Sequence, residues 1–177
     1  QEQIQAGDRW ALDHGTQDCG AANTLIVGTR NPDGTRRGIG VMNSDGQAAV
    51  SCLGRAVGGR QIAIVGAGGA ARAIAVALVR RGASITLFNR TREKADKLAT
   101  ELSDLKNQYF VVHSKPMDDI ASERFDAYIN CTPVGTSPHV DDTPLALTGN
   151  LTGRLVYDLV YNPIETRLLA DARARGA

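Results

Sequence analysis

The stretch "IVGAGGAARAIAVALVRRGASITLFNRT", residues 64–91, decides the fold. A strand-like apolar run from Gln61 to Val65 enters a glycine turn. The small apolar residues beyond it have helical character up to Gly82, and a second strand-like run follows from Ser84 to Phe88. Gly66, Gly68 and Ala71 match the spacing GxGxxG/A directly after a strand and at the opening of a helix, the context that gives this spacing meaning. Gly66 allows a tight turn, Gly68 lets backbone approach a pyrophosphate, and the helix N-terminus supplies N–H donors and the positive end of the dipole. The reading is a dinucleotide-binding turn of Gly66, Ala67, Gly68, Gly69 and Ala70. The plainer alternative is a tight strand-to-helix turn whose small residues serve packing alone.

The end of the second strand separates two cofactors. About 20 residues past the glycine turn, an acid would accept hydrogen bonds from a ribose 2′-hydroxyl, whereas a 2′-phosphate wants a guanidinium and no nearby carboxylate. Asn89, Arg90 and Thr91 stand there. Arg90 can stack on or pair with the phosphate, Thr91 can donate from the next helix's first turn, and Arg92 or Lys94 can add charge. The expected cofactor is therefore NADP rather than NAD; the alternative is that Arg90 and Lys94 form a solvated helix start.

Outward from this stretch, strand-like and helix-like patterns keep alternating, which predicts an α/β fold: a Rossmann-like, doubly wound parallel sheet with helices on both faces. Further strands are expected at Tyr109–His113, Phe125–Asn130 and Arg154–Val160, and Ala95, Leu98, Ala99 and Leu102 recur at helical spacing. Asn162, Pro163 and Glu165 read as cap, first and third residue of a last helix ending near Gly176. The loop after the fourth strand, with Thr132 and Gly135, falls where such a sheet presents ligands. The first 45 residues differ. Ile4–Leu12 reads as a weak helix, and "NTLIVGT" (23–29) and "RRGIGVMN" (36–43) as two strands joined through the turn "NPDG" (31–34). Such a piece buries little core alone, so it is read as the remnant of a smaller α/β neighbour, divided from the main sheet near Ser44, a cap for the following helix.

Composition narrows the partners. The 177 residues are 42% hydrophobic and 22% charged, enough for one globular domain or one domain with part of another. A net charge of +1 without basic blocks gives no footprint for nucleic acid or an anionic membrane. The longest apolar run, near Ala73–Val79, is far short of the ~20 residues that span a bilayer, and the opening residues do not read as a signal peptide. Cys19, Cys52 and Cys131 are odd in number and dispersed, and His14, His113 and His139 form no ligand spacing. No disulfide framework or metal site is expected, and a reducing cytoplasm is the simplest setting.

Six motifs in order carry a resemblance: "GAANTL" (20–25), "NSDG" (43–46), "GAGGAARA" (66–73), "NRT" (89–91), "NCTPVG" (130–135) and "YDLVYNP" (157–163). Together they resemble the shikimate dehydrogenase (shikimate/quinate 5-dehydrogenase) family. The stretch "SPHVDDTPL" (137–145) looks closest to versions fused to a dehydroquinate dehydratase domain. The resemblance implies NADP-linked reduction of the small molecule 3-dehydroshikimate to shikimate, in aromatic amino acid biosynthesis. It places the family's substrate-binding asparagine on Asn23 and its aspartate on Asp45, which works with a lysine to shuttle the proton that accompanies hydride transfer. It puts Tyr161 near the substrate, Leu159 against the nicotinamide and Thr132 in the cofactor loop. Residues 1–45 then form part of the substrate-binding domain and residues 46–177 the NADP-binding domain. Without the family, Asn23 and Asp45 are ordinary turn and helix-start residues.

The same resemblance implies a catalytic lysine upstream of Gly20, paired serines near the enzyme's start and a glutamine on C-terminal helices. The first lysine here is Lys94, so the chain is expected to be a fragment, inactive alone. The stretch between Asn23 and Asp45 is longer than the family pattern. Two other readings stay open: a non-catalytic dinucleotide-binding regulatory module, like the dehydrogenase-like portions of some repressors of quinate use, and a quinate dehydrogenase.

Overall fold

A computed structural model describes residues 10–12, 20, 22–27, 32–33, 39–54, 57–103 and 111–177. Its centre is a five-stranded sheet of β4 (Gln61–Val65), β5 (Ser84–Phe88), β6 (Val112–Lys115), β7 (Ala127–Asn130) and β8 (Leu155–Asp158), in the order β6-β5-β4-β7-β8. Every pairing in it is parallel. A separate small sheet holds β1 (Trp10–Leu12), β2 (Thr24–Val27) and β3 (Ile39–Met42), with β1 parallel and β2 antiparallel to β3. The helices are α1 (Asp45–Leu53), α2 (Gly69–Val79), α3 (Arg92–Ser103) and α4 (Arg167–Ala174), with a 3₁₀ turn at Met117–Ala121. The strand order reverses beside β4, so the crevice beyond the strand ends, where such sheets take ligands, opens at the glycine turn.

Alternation along β4 explains the layers. Ile62 and Ile64 join the core beneath α1, α2 and α3, with Ile74, Leu78, Leu98 and Leu102, whereas Ala63 and Val65 join Phe88, Phe125, Tyr128 and Leu168 on the opposite face. Phe125 packs edge-to-face on both Phe88 and Tyr128 at ring centroids 5.8 and 5.6 Å apart. This second face was expected to carry helices. It carries α4, the 3₁₀ turn and an irregular segment through Leu145, Leu147 and Leu151, because a short apolar side chain every few residues covers the sheet without helical periodicity. Among the described residues no helix is long and apolar enough to cross a membrane.

Several boundaries move for identifiable reasons. Residues 10–12, read as the end of a helix, form a strand because Trp10–Leu12 pairs with Ile39–Val41, a partner invisible to local pattern; residues 4–9 lie outside the described residues. The third central strand runs Val112–Lys115, while 109 and 110 lie outside the described residues, and β7 starts at Ala127 rather than Phe125. β8 covers Leu155–Asp158 rather than 154–160 because the Asp158 carboxylate accepts the Val160 N–H at 3.0 Å and turns the chain. The last helix begins at Arg167, not Pro163. Its cap is Thr166, whose buried hydroxyl oxygen accepts the Leu169 N–H at 3.3 Å.

Ser44 precedes α1, yet its hydroxyl does not cap the helix. It donates instead to Asn23 Oδ1 at 3.2 Å, and Asn43 Oδ1 takes the Asp45 N–H at 3.0 Å. One residue on, Gly46 lets α1 cross α2 at backbone distance: a Cβ there would lie 2.7 Å from the Ala73 carbonyl oxygen and 2.8 Å from Ala77 Cβ. Gly46→Ala gains at most ~1 kcal/mol of helix propensity, whereas overpacking against backbone costs roughly 1–3 kcal/mol. A net loss of about 1–2 kcal/mol is expected in urea unfolding. A more stable variant would show that the two helices separate freely.

Candidate active site

The glycine turn is built as its sequence requires. Gly66 sits at φ +117°, and its N–H donates to the Phe88 carbonyl at 2.7 Å. A Cβ there would lie 3.1 Å from the Cys131 carbonyl oxygen, so glycine is needed for both conformation and space. Gly68, the extended residue before α2, has no atom within 4 Å of a would-be Cβ, and no side chain caps the first N–H groups of the helix. Those donors face open space, the arrangement that suits an anion.

Beside the turn lies a cleft of about 540 Å³ lined by Ala67, Gly68, Asn89, Arg90, Thr91, Lys94 and Thr132, with Val65, Met117, Pro133, Val134, Thr143 and Pro144. Arg90 and Lys94 are exposed, and neither has an ion-pair partner among the described residues. Arg92, considered as added charge, is drawn instead to Asp96 at 3.4 Å and does not line the cleft. Asn89 stabilises the strand end by donating to the Thr91 carbonyl at 2.7 Å. Gly66, Gly69 and Ala70 shape the turn without lining the cleft, and Leu159 packs against the core under α2.

The opposite cleft wall was only half legible. Pro133 and Val134 follow Thr132 in a motif, and Thr143 with Pro144 belongs to the "SPHVDDTPL" stretch, but Met117 had no local signal. Two residues without an expected role hold this wall. Wholly buried Asn130 accepts the Thr132 N–H at 2.9 Å and hydroxyl at 2.7 Å through Oδ1, and donates through Nδ2 to Asp158 Oδ1 at 2.8 Å. The other Asp158 oxygen accepts the Thr166 hydroxyl at 2.7 Å.

Asn23 and Asp45, far apart in sequence, meet: Asn23 Nδ2 donates to Asp45 Oδ1 at 2.6 Å. Asn23 Oδ1 accepts the Thr24 hydroxyl at 2.8 Å and the Ser44 N–H at 3.0 Å, which fixes the amide's orientation and leaves one Nδ2 hydrogen for a ligand. Cys131 lies beside the glycine turn and within electrostatic reach of Asp45. Burial pushes its thiol up to about 12, and the nearby Asp45 and Asp158 carboxylates push the same way. Tyr157 is likewise raised, first by burial and then by its hydrogen-bonded neighbour Cys52, with Asp45 adding to it. Cys131 and Tyr157 are thus neutral at physiological pH and add no anion beside Asp45. Tyr161 is 87% exposed and stands apart from the cleft lining. Among the described residues no cluster of His, Cys, Asp and Glu could hold a metal ion.

Comparison with known proteins bears on the family and the fold. Residues 48–137 match the family described as Shikimate / quinate 5-dehydrogenase. The chain is 39% identical over 163 residues to a shikimate dehydrogenase (NADP(+)) of Methanosarcina mazei, covering 89% of this chain and 56% of that protein. Among solved structures, a shikimate dehydrogenase in complex with NADP+ superposes with a TM-score of 0.75 at 32% identity, covering 94% of this chain and 57% of that one. A quinate dehydrogenase from Corynebacterium glutamicum in complex with NAD superposes with a TM-score of 0.73 at 26% identity, covering 94% and 58%. The chain thus spans a little over half the length of these relatives. A parallel sheet of this order, a glycine turn in this setting and a family match across half the sequence make the chain a member of the shikimate/quinate 5-dehydrogenase family.

Proposed function

We propose that this chain binds NADP(H) through the glycine turn and the Arg90–Lys94 cleft. The protein it represents would interconvert 3-dehydroshikimate and shikimate. The observation that carries this reading is the gathering of Arg90, Thr91 and Lys94 with Gly68 in one cleft, where among the described residues no acid stands to recognise a ribose hydroxyl. The residues present fit such a ligand: uncapped helix donors for a pyrophosphate, open space at Gly68, and two cations without an ion-pair partner among the described residues for a 2′-phosphate. When bound, the cofactor supplies or accepts the hydride.

The chain's own residues supply the rest. Residues up to 45 form the substrate side and those from 46 onward the cofactor side. The Asp45 carboxylate, steered by Asn23, takes the proton from the substrate hydroxyl as the carbonyl forms and returns it in the reverse direction. The remaining Nδ2 hydrogen of Asn23 donates to a ring hydroxyl. Leu159 and Thr132 bound the nicotinamide side, and Tyr161 belongs to the substrate wall.

Calorimetric titration with NADP+ and NAD+ tests the cofactor assignment. NADP+ is expected to bind more tightly, and Arg90→Ala to weaken it by about 1.5 to 3 kcal/mol while barely changing NAD+, the scale of a charge-assisted contact. Equal affinities, or tighter NAD+, would overturn the 2′-phosphate assignment and favour an NAD-linked relative as the template.

A further inference from the structure

β7 and β8 end side by side, and both end in the same way. Asn130 and Asp158 are register partners, and each side chain folds back onto the backbone N–H two residues on, at Thr132 and at Val160. The two turns are then clasped to each other by Asn130 Nδ2 on Asp158 Oδ1 at 2.8 Å. The Asn130 carbonyl also accepts the Leu159 N–H at 3.1 Å. One residue therefore sets the segment carrying Thr132, Pro133 and Val134, which lines the cleft, and the backbone of Leu159 on the neighbouring strand.

We infer that Asn130, anchored on Asp158, is a positioning residue for cofactor binding: it holds the Thr132–Val134 wall of the cleft at the spacing NADP(H) needs. This rests on the NADP(H) reading above. Asn130 lines no part of the cleft and makes its contribution through other residues. Its burial adds the reason for an amide here. Oδ1 must accept two donors from Thr132 while Nδ2 donates to a carboxylate, and no other side chain of this size does both.

Asn130→Asp tests the clasp because it preserves shape and the acceptor for Thr132, but turns a second carboxylate oxygen toward Asp158, and toward the Val134 carbonyl that Nδ2 also reaches at 3.4 Å. Two carboxylates at this distance share one proton, so their joint affinity for it is raised in the clasped form. The clasped form is then favoured at low pH and is lost as pH rises through the raised midpoint. The neighbouring titratable groups are Cys131 and Tyr157, both held neutral, and Asp45, whose carboxylate lies near enough to raise each of them.

NADPH affinity, followed by the fluorescence of the bound reduced cofactor, is read for variant and unsubstituted chain at each pH. Their ratio cancels the titration of the cofactor's own phosphate. The ratio of dissociation constants is expected to stay within about threefold near pH 5.5 and to exceed about tenfold near pH 8. Adding Asp158→Asn to Asn130→Asp leaves a single carboxylate and is expected to flatten the pH dependence. A ratio constant across pH, whether near one or uniformly raised, would overturn the inference, as would a pH dependence that survives the double change. Should Asn130→Asp fail to fold at the upper pH, Asn130→Ser is read instead, too short to reach both Thr132 and Asp158. An affinity loss of about fivefold or more supports the clasp and an unchanged affinity refutes it. If the unsubstituted chain takes no NADPH, the cofactor reading itself fails. Binding by that chain with a flat variant ratio sinks only the clasp.

Discussion

Gly66→Val is expected to destabilise the protein by about 4 kcal/mol and to remove measurable NADP(H) binding. A β-branched residue at φ +117° carries backbone strain of roughly 1–3 kcal/mol, and its Cβ would press on the Cys131 carbonyl oxygen from 3.1 Å, adding overpacking of similar size. The neighbour cannot yield cheaply. It is backbone at the end of β7, held to β4 by the Cys131 N–H on the Val65 carbonyl at 2.8 Å. Urea unfolding reads the first effect and calorimetry the second. Gly68→Ala supplies the contrast: with φ −89° and nothing within 4 Å of its Cβ, it should leave stability within about 0.5 kcal/mol while reducing affinity. If Gly68→Ala binds NADP+ normally, backbone approach at Gly68 is not how the pyrophosphate is held. If Gly66→Val retains full stability, the turn is more plastic than its geometry indicates.

The same two glycines show what local pattern can and cannot carry. β4 and β5 came out at their expected bounds because each is a short apolar run closed by a turn-forming residue, and the glycine turn needs only its own sequence to be recognised. β1 escaped because its identity as a strand depends on Ile39–Val41, well beyond any local window. The start of α4 escaped for a related reason. Asn162, Pro163 and Glu165 have the composition of a helix entry, but Thr166 takes the cap because its hydroxyl also reaches Asp158 across the loop. In the site, Arg90, Thr91 and Lys94 were legible as the polar end of a strand, whereas Asn23 and Asp45 were named through a resemblance and their contact shows only in the structure. Met117 and the Asn130–Asp158 clasp were not legible. A methionine after a strand signals nothing by itself, and a buried amide between two strand ends reveals its duty only when both ends are in view.

In a form of the protein that turns over shikimate, Asp45→Asn should lower kcat by about 10² to 10⁴ with little change in KM, the range for removing a positioned proton-transfer group. The substitution is chosen for shape. The new amide oxygen can still accept from Asn23 Nδ2, where the carboxylate now does at 2.6 Å, so substrate and cofactor contacts persist while the proton acceptor is lost. NADP+ affinity measured on the same variant should stay within about twofold, since none of the cleft residues depends on the Asp45 charge. The 177-residue chain itself is expected to be slower than a form of the relatives' full length by at least about 10²-fold, because holding a substrate in place contributes as much as the proton transfer. Asn23 is exposed and Tyr161 is 87% exposed, so among the described residues neither is enclosed by neighbours that would hold a substrate against it. NADPH formation from shikimate, followed for both forms, decides this. Equal rates would mean that Asn23, Asp45 and the cleft suffice, and an Asp45→Asn variant with unchanged kcat would move the proton transfer to another group.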